Sequence, residues 1–212
     1  EIQNKGLGLD VDVFNEKGES VKNVKGELVC KSPFPSMPLK FWNDKHDAKF
    51  KDAYFNKFSN IWYHGDYVEI KKSGGFIIYG RSDTTLNPGG VRLGTAEIYS
   101  EVEKFIEIKE SIVVGQAWDN DIRIILFIVL NSNYELNEEL LAKLKRQIRK
   151  NASPRHVPDK VVVVNDIPRT KNGKIVELAV KNIIEGNEIK NIEALANPEV
   201  LNQYKNLKEL NY

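Results

Sequence analysis

A change of apolar period near residue 81 constrains the fold more than any other feature. Before it the spacing is that of strands. Leu7-Gly8-Leu9-Asp10-Val11-Asp12-Val13-Phe14 alternates apolar and polar residues, as a half-buried strand does. Gly26 to Cys30 reads as a second strand, after a turn at Glu16 to Glu19. Pro33, Pro35 and Pro38 break regular structure and leave a loop carrying Phe34, Met37, Phe41 and Trp42, expected to pack in a core or between domains. A strand through Trp62 resumes at Tyr67 to Ile70 after Gly65-Asp66, and Ser73-Gly74-Gly75 turns it into Phe76 to Tyr79.

Beyond Arg81-Ser82-Asp83 the spacing becomes helical. Leu136, Leu140, Leu144 and Ile148 recur every four residues. Thr95 is placed to cap an earlier helix through Ile98, Val102 and Phe105-Ile106. Between the helices, Ser111 to Gln116 and Ile122 to Leu130 read as strands joined by a turn at Trp118 to Asp121. Val161 to Val164 is a third, and a polar helical tail is expected from about Glu177 onward. The predicted class is α+β: a small antiparallel barrel or sheet over 1–82, then a compact unit over 83–212 with the order β-α-β-β-α-β.

Charge excludes some functions. Thirty-one Lys and Arg face 30 Asp and Glu, a net charge of +1, so nothing draws the whole chain to nucleic acid or anionic lipid. The basic run Lys143 to Lys150 lies on the amphipathic helix and reads as a solvated face. A lone cysteine, Cys30, rules out an internal disulfide and suits a reducing, cytoplasmic setting. His64 and His156 stand apart, with no metal-ligand spacing, and read as structural. The chain opens at Glu1 and its sole methionine is Met37, so we expect a piece of a longer polypeptide whose remainder lies N-terminal.

Three segments carry chemistry: Trp62-Tyr63-His64-Gly65-Asp66; Gly80-Arg81-Ser82-Asp83 continuing through Pro88-Gly89-Gly90-Val91-Arg92 to Gly94-Thr95-Ala96-Glu97; and Pro168-Arg169-Thr170-Lys171-Asn172-Gly173-Lys174. Taken singly, each has a plain alternative. Asp66 could bond its own turn, Arg81 could pair with Asp66 or Asp83, and Asp83 could be an ordinary linker residue. Pro88-Gly89-Gly90 could be a simple turn, and Lys174 a solvated turn lysine.

In this order and spacing they resemble the C-terminal motifs of the adenylate-forming superfamily, which includes acyl-CoA synthetases, peptide-synthetase adenylation domains and luciferases. Gly26 to Cys30, Thr84 to Arg92, Pro154-Arg155-His156-Val157-Pro158, Glu177-Leu178-Ala179-Val180 and Ala194 to Glu199 are similar to the acetoacetyl-CoA-forming branch in particular. The resemblance implies that 1–82 is the last β subdomain of a large adenylation domain and 83–212 its mobile lid. It implies that Asp66 and Arg81 hold the nucleotide, with Arg92 near the phosphates, and that Asp83 is the hinge. It makes Gly89 and Gly90 part of the coenzyme A channel and Lys174 the catalytic lysine of adenylation. Glu97 is read as structural. Two positions depart from the common pattern: Asn172 stands where Ser precedes Gly-Lys, and Glu177 where a basic residue follows.

The implied partners are acetoacetate, ATP with Mg²⁺, coenzyme A, and the missing N-terminal domain; no nucleic acid, membrane or protein-bound metal is expected. The superfamily's phosphate-binding Ser/Thr/Gly-rich loop ending in Lys has no counterpart in this sequence, so the fragment alone is expected to be inactive. Two other readings stay open: a non-catalytic docking module, and a ligase for acetate or another short acid.

Overall fold

The computed structural model describes residues 1–189 and 191–211. The chain divides into two units, Glu1–Asp83 and Thr84–Tyr212.

Unit one is built on four strands: β1 (Val11–Phe14), β2 (Gly26–Cys30), β3 (Trp62–Ile70) and β4 (Phe76–Arg81). They pair antiparallel in the order β1-β2-β3-β4, an open sheet rather than a barrel among the described pairings. Val13, Val68, Ile70 and Phe76 form its core, as the two-residue alternation requires. Gly26 is obligatory, because a Cβ there would lie 2.4 Å from the carbonyl oxygen of Phe14.

The expected loop after Pro38 also contains a helix, α1 (Ala48–Phe55), which the apolar pattern does not announce. No residue of it is fully buried, and its apolar face is limited to half-buried Phe50, Tyr54 and Phe55. Its start is fixed by Asp44, whose carboxylate accepts the N–H groups of Lys49 (2.9 Å) and Phe50 (2.8 Å). Phe34 and Phe41 join an aromatic cluster with Phe50, Tyr54 and Trp62. Trp42, expected in a core or between domains, is 97% exposed within the described chain.

Unit two contains α2 (Thr95–Val102), β5 (Ile108–Trp118), β6 (Asp121–Leu130), α3 (Glu138–Asn151), β7 (Lys160–Val163) and α4 (Glu177–Ile184). The β5–β6 hairpin turns through Asp119 and Asn120, both left-handed (φ 48° and 59°), the twist a tight hairpin favours. β6 pairs antiparallel with β5 and parallel with β7, the α3 crossover making the parallel pairing possible. Both faces of the sheet are covered. Val113, Ile124, Leu126 and Ile128 pack with Ile98, Val102, Leu144 and Ile148 on one side. Ile112, Val114, Ile125 and Phe127 pack with Val180, Tyr204 and Leu210 on the other. That double burial explains the unbroken apolar run in β6.

Three local expectations are corrected. Thr95 is the first helical residue rather than the cap; Gly94 occupies the cap, and its N–H donates to the Glu97 carboxylate at 3.3 Å. α2 stops at Val102, short of Phe105-Ile106. The tail is neither one helix nor wholly polar. Gly186 (φ 73°) ends α4 by donating to Ile183, and Asn187 donates to Asn182 beyond it. Short 3₁₀ turns follow at Ile192–Ala194, Pro198–Tyr204 and Lys208–Leu210. Leu195, Leu201, Tyr204 and Leu210 are buried along them, anchored in part by Arg123, whose guanidinium donates to the Leu210 carbonyl.

Candidate functional site

The candidate residues fall into three groups. The first lies on the β3–β4 pair of unit one, where Asp66 and Arg81 are register partners. Arg81 Nη1 reaches Asp66 Oδ1 at 3.4 Å and the His64 carbonyl at 3.2 Å, and its Nε lies 3.6 Å from Asp83 Oδ1. The ion pairs anticipated as the plain alternative for Arg81 are therefore both formed. Gly65, left-handed at φ 84°, makes room: a Cβ there would stand 2.7 Å from an Arg81 nitrogen.

His64 is not the isolated histidine the sequence suggests. Its Nδ1 lies 2.5 Å from Asp66 Oδ2, and its ring is half exposed. Residues two apart on a strand share a face, so His64 and Asp66 were discoverable as a pair.

Burial raises the Asp66 carboxyl, and the His64 and Arg81 contacts more than reverse this, holding it below the usual carboxylate range. A carboxyl lowered on folding adds stability that is present above its ordinary pKa and is lost as pH falls through the lowered value. Asp66→Asn should therefore flatten the acid limb of the stability curve below about pH 4 while leaving the neutral region little changed in slope. Melting temperatures across that range would show it; an unaltered acid limb would contradict the pairing.

The second group is the glycine turn of unit two. Gly89 and Gly90 are left-handed, at φ 58° and 74°, and exposed, with open space where their Cβ atoms would be. Asp121 holds the turn: its carboxylate oxygens accept the Gly89 N–H at 2.9 and 3.0 Å. The N–H of Ile122, at 2.7 Å, and then that of Gly89 keep the Asp121 carboxyl below the usual range. Arg92 is half-buried, its Nε donating to Thr85 Oγ1 at 3.0 Å.

The third group is the lysine hairpin. Arg169 bridges Ile175 across it, and Thr170 N–H donates to the Lys174 carbonyl at 2.8 Å. Gly173, at φ 79°, closes the turn, and the Lys174 side chain is exposed. Arg169 braces the loop with two contacts, to the Gly173 carbonyl at 3.1 Å and to Glu110 of β5 at 2.9 Å. Just downstream, Glu177 accepts the Tyr99 hydroxyl at 2.5 Å, and the same hydroxyl accepts the Val113 N–H. The tyrosine is held far above its ordinary range by burial and by that carboxylate. Glu177, one of the departures from the common pattern, thus has a local role in fixing the hairpin to β5.

Within unit two these groups are far apart. Asp121 sits at the turn end of the β5–β6 hairpin, and Glu110 pairs with Val129 at the other end. Eight residues of β5 separate Glu110 from Trp118, opposite Asp121, about 26 Å of strand at 3.3 Å per residue. The glycine turn and the lysine hairpin are tied to opposite ends of one stiff ribbon.

Asp121, Glu110 and Tyr99 are site-supporting residues that sequence reasoning missed. Among the described residues, no group of three or more His, Cys, Asp or Glu is arranged to hold a metal ion. No described helix is long and apolar enough to cross a membrane.

Residues 97–174 match the model of the AMP-binding enzyme C-terminal domain. Acetoacetyl-coenzyme A synthetase of Rhizobium meliloti (strain 1021) is 56% identical over 210 residues, covering 99% of this chain and 32% of that protein. The acetoacetyl-CoA synthetase of Xenopus tropicalis is 47% identical over 212 residues, with the same coverage. The solved acetoacetyl-CoA synthetase from Streptomyces lividans superposes with a TM-score of 0.89 at 39% identity, covering 96% of this chain and 31% of that one. The chain spans about a third of the length of the curated relatives it matches. In sequence and in fold alike, the chain matches the C-terminal portion of acetoacetyl-CoA synthetases, with residues 97–174 as its AMP-binding enzyme C-terminal domain.

Proposed function

We propose that this chain is the lid-bearing portion of an ATP-dependent acid–CoA ligase that activates acetoacetate, with residues 1–82 ending the large domain and 83–212 forming the lid. In the first half-reaction a carboxylate oxygen of acetoacetate attacks the α-phosphorus of ATP, and the bond to pyrophosphate breaks. Attack brings two anions together. An ammonium between them offsets their repulsion and the charge developing on the phosphoryl oxygens, which is the role we give Lys174. Asp66 accepts hydrogen bonds from ribose hydroxyls, Arg81 donates to the nucleotide and steadies Asp66, and Arg92 faces the phosphates. Mg²⁺ would travel with the nucleotide phosphates, which supply much of its coordination in such sites.

In the second half-reaction the coenzyme A sulfur attacks the acyl carbonyl and AMP leaves with the bonding electron pair. The glycine turn suits that step, because a backbone without side chains lets a slender thiol arm pass close by. The observation that carries the reading is the separation of the lysine hairpin and the glycine turn along β5 and β6. Groups at opposite ends of a stiff ribbon cannot both face one mixed anhydride, so they act in turn as the lid pivots at Asp83.

The test is pyrophosphate release by the complete enzyme offered a panel of short acids with ATP. Acetoacetate should give the highest kcat/KM. Preference for acetate would transfer the reading to another short-acid ligase, and no release with any acid would end the ligase reading.

A further inference from the structure

The first leg of the Lys174 hairpin is bonded along both of its edges. That leg, Pro168 to Lys171, pairs inward with the leg that carries Lys174. Its outer edge is taken by the C-terminal tail. Lys171 N–H donates to the Ala194 carbonyl (3.1 Å), Ala196 N–H donates to the Arg169 carbonyl (2.8 Å), and Thr170 bridges Leu195. The short 194–197 stretch is thus a third strand on the lysine hairpin. A two-stranded ribbon is marginal in water, whereas a third strand on an apolar base makes it firm. The base is present: Leu195 and Leu201 are buried against Ala179, with Val176 and Ile183 packed around them.

Asn197 locks this strand. Its Oδ1 accepts the Arg169 N–H at 2.9 Å, while its Nδ2 donates to Asp166 Oδ2 and to the Ile167 carbonyl, each at 3.0 Å. The amide orientation follows from its partners, since a backbone N–H needs an oxygen and two acceptors need the NH₂. One partly buried side chain therefore ties the tail to both the entry and the first leg of the hairpin.

We propose that Asn197 is a positioning residue for Lys174: through it the C-terminal tail holds the hairpin in register and sets where the lysine is presented. The proposal rests on the adenylation role given to Lys174 above. A long exposed side chain on a loose loop explores many positions, and a misplacement of about 1 Å at a reacting centre can cost ~10²-fold in rate.

The test uses Asn197→Ala and Ala196→Pro in the complete enzyme. The second variant removes the N–H that donates to the Arg169 carbonyl and fixes φ at residue 196. It tolerates the preceding residue, since Leu195 is already extended (φ −78°, ψ 146°). Amide hydrogen exchange is read together with the separate half-reactions. We expect the Arg169 and Lys171 amides to exchange faster while the β5–β6 amides keep their protection. Acyl-AMP formation should fall about 10- to 100-fold, with thioester formation from supplied acyl-AMP spared. Unchanged loop protection, unchanged adenylation despite a loosened loop, or an equal fall in both half-reactions would each overturn the proposal. Lys174→Ala separates the two readings. If it spares adenylation, the role given to the lysine fails whatever Asn197 does. If it abolishes adenylation and the tail variants leave that step intact, only the tail's role fails.

Discussion

Lys174→Ala in the complete enzyme is expected to lower acyl-AMP formation by on the order of 10²–10³-fold, the cost of removing one preorganised charge-stabilising donor. Thioester formation from supplied acyl-AMP is expected to continue near its normal rate, because the mixed anhydride already exists and no second anion approaches the phosphorus. The variant should fold normally. The Lys174 side chain is exposed, and the hydrogen bonds that shape its turn run through backbone atoms and Thr170, so its loss falls among surface substitutions worth within about 0.5 kcal/mol. Lys174→Arg should not rescue fully, since a planar guanidinium on a different stem places its charge elsewhere. Single-turnover assays of each half-reaction decide the matter: equal loss in both would remove Lys174 from the adenylation step.

What the sequence revealed and what it hid divide by sequence distance. α3 was legible because Leu140, Leu144 and Ile148 are all buried and recur on one face, behind an Asn137 cap that accepts the Leu140 N–H at 2.9 Å. The β5–β6 hairpin was legible because an Asp-Asn turn sits between two apolar runs. α1 left no such trace, since none of its residues is fully buried, its aromatic residues reach Phe41 and Trp62 outside it, and its cap lies ahead of it in Asp44. The tail misled because its apolar residues lack a helical period: Leu195, Leu201, Tyr204 and Leu210 are buried from a run of short turns.

The candidate site shows the same division. Asp66, Arg81, Gly89, Gly90, Arg92 and Lys174 are singled out through the family resemblance that their motifs carry, and a motif is a local signal. Their supports are not. Asp121 reaches Gly89 across 32 residues, and Asn197 reaches Arg169 across 28. Bonds between such distant residues follow from topology, which no window of sequence contains. The exception is His64, whose pairing with Asp66 needed only the two-residue period of a strand.

Asp83→Pro is the substitution expected to affect turnover most after loss of the lysine. The two units meet in sequence between Asp83 and Thr84. The residue before them is already fixed, since Ser82 N–H donates to the Gly65 carbonyl at 2.9 Å and its hydroxyl donates to buried Glu27. The pivot proposed at Asp83 follows directly on that anchored residue. Proline confines φ there to about −65° and restricts the residue before it to extended conformations. Under the proposed function this holds the lid in one orientation. Stopped-flow traces should then show one half-reaction near its normal rate and the other slowed by roughly 10²-fold, as a mispositioned catalytic group requires. Asp83→Ala separates pivot from charge. It removes the exposed pair with Arg81, worth about 0–1 kcal/mol, yet keeps the backbone free, so its effect on either step should be far smaller. If both half-reactions of Asp83→Pro run at normal rates, the lid does not turn at this residue, and the alternation of the glycine turn and the lysine hairpin must be achieved by bending elsewhere in the chain.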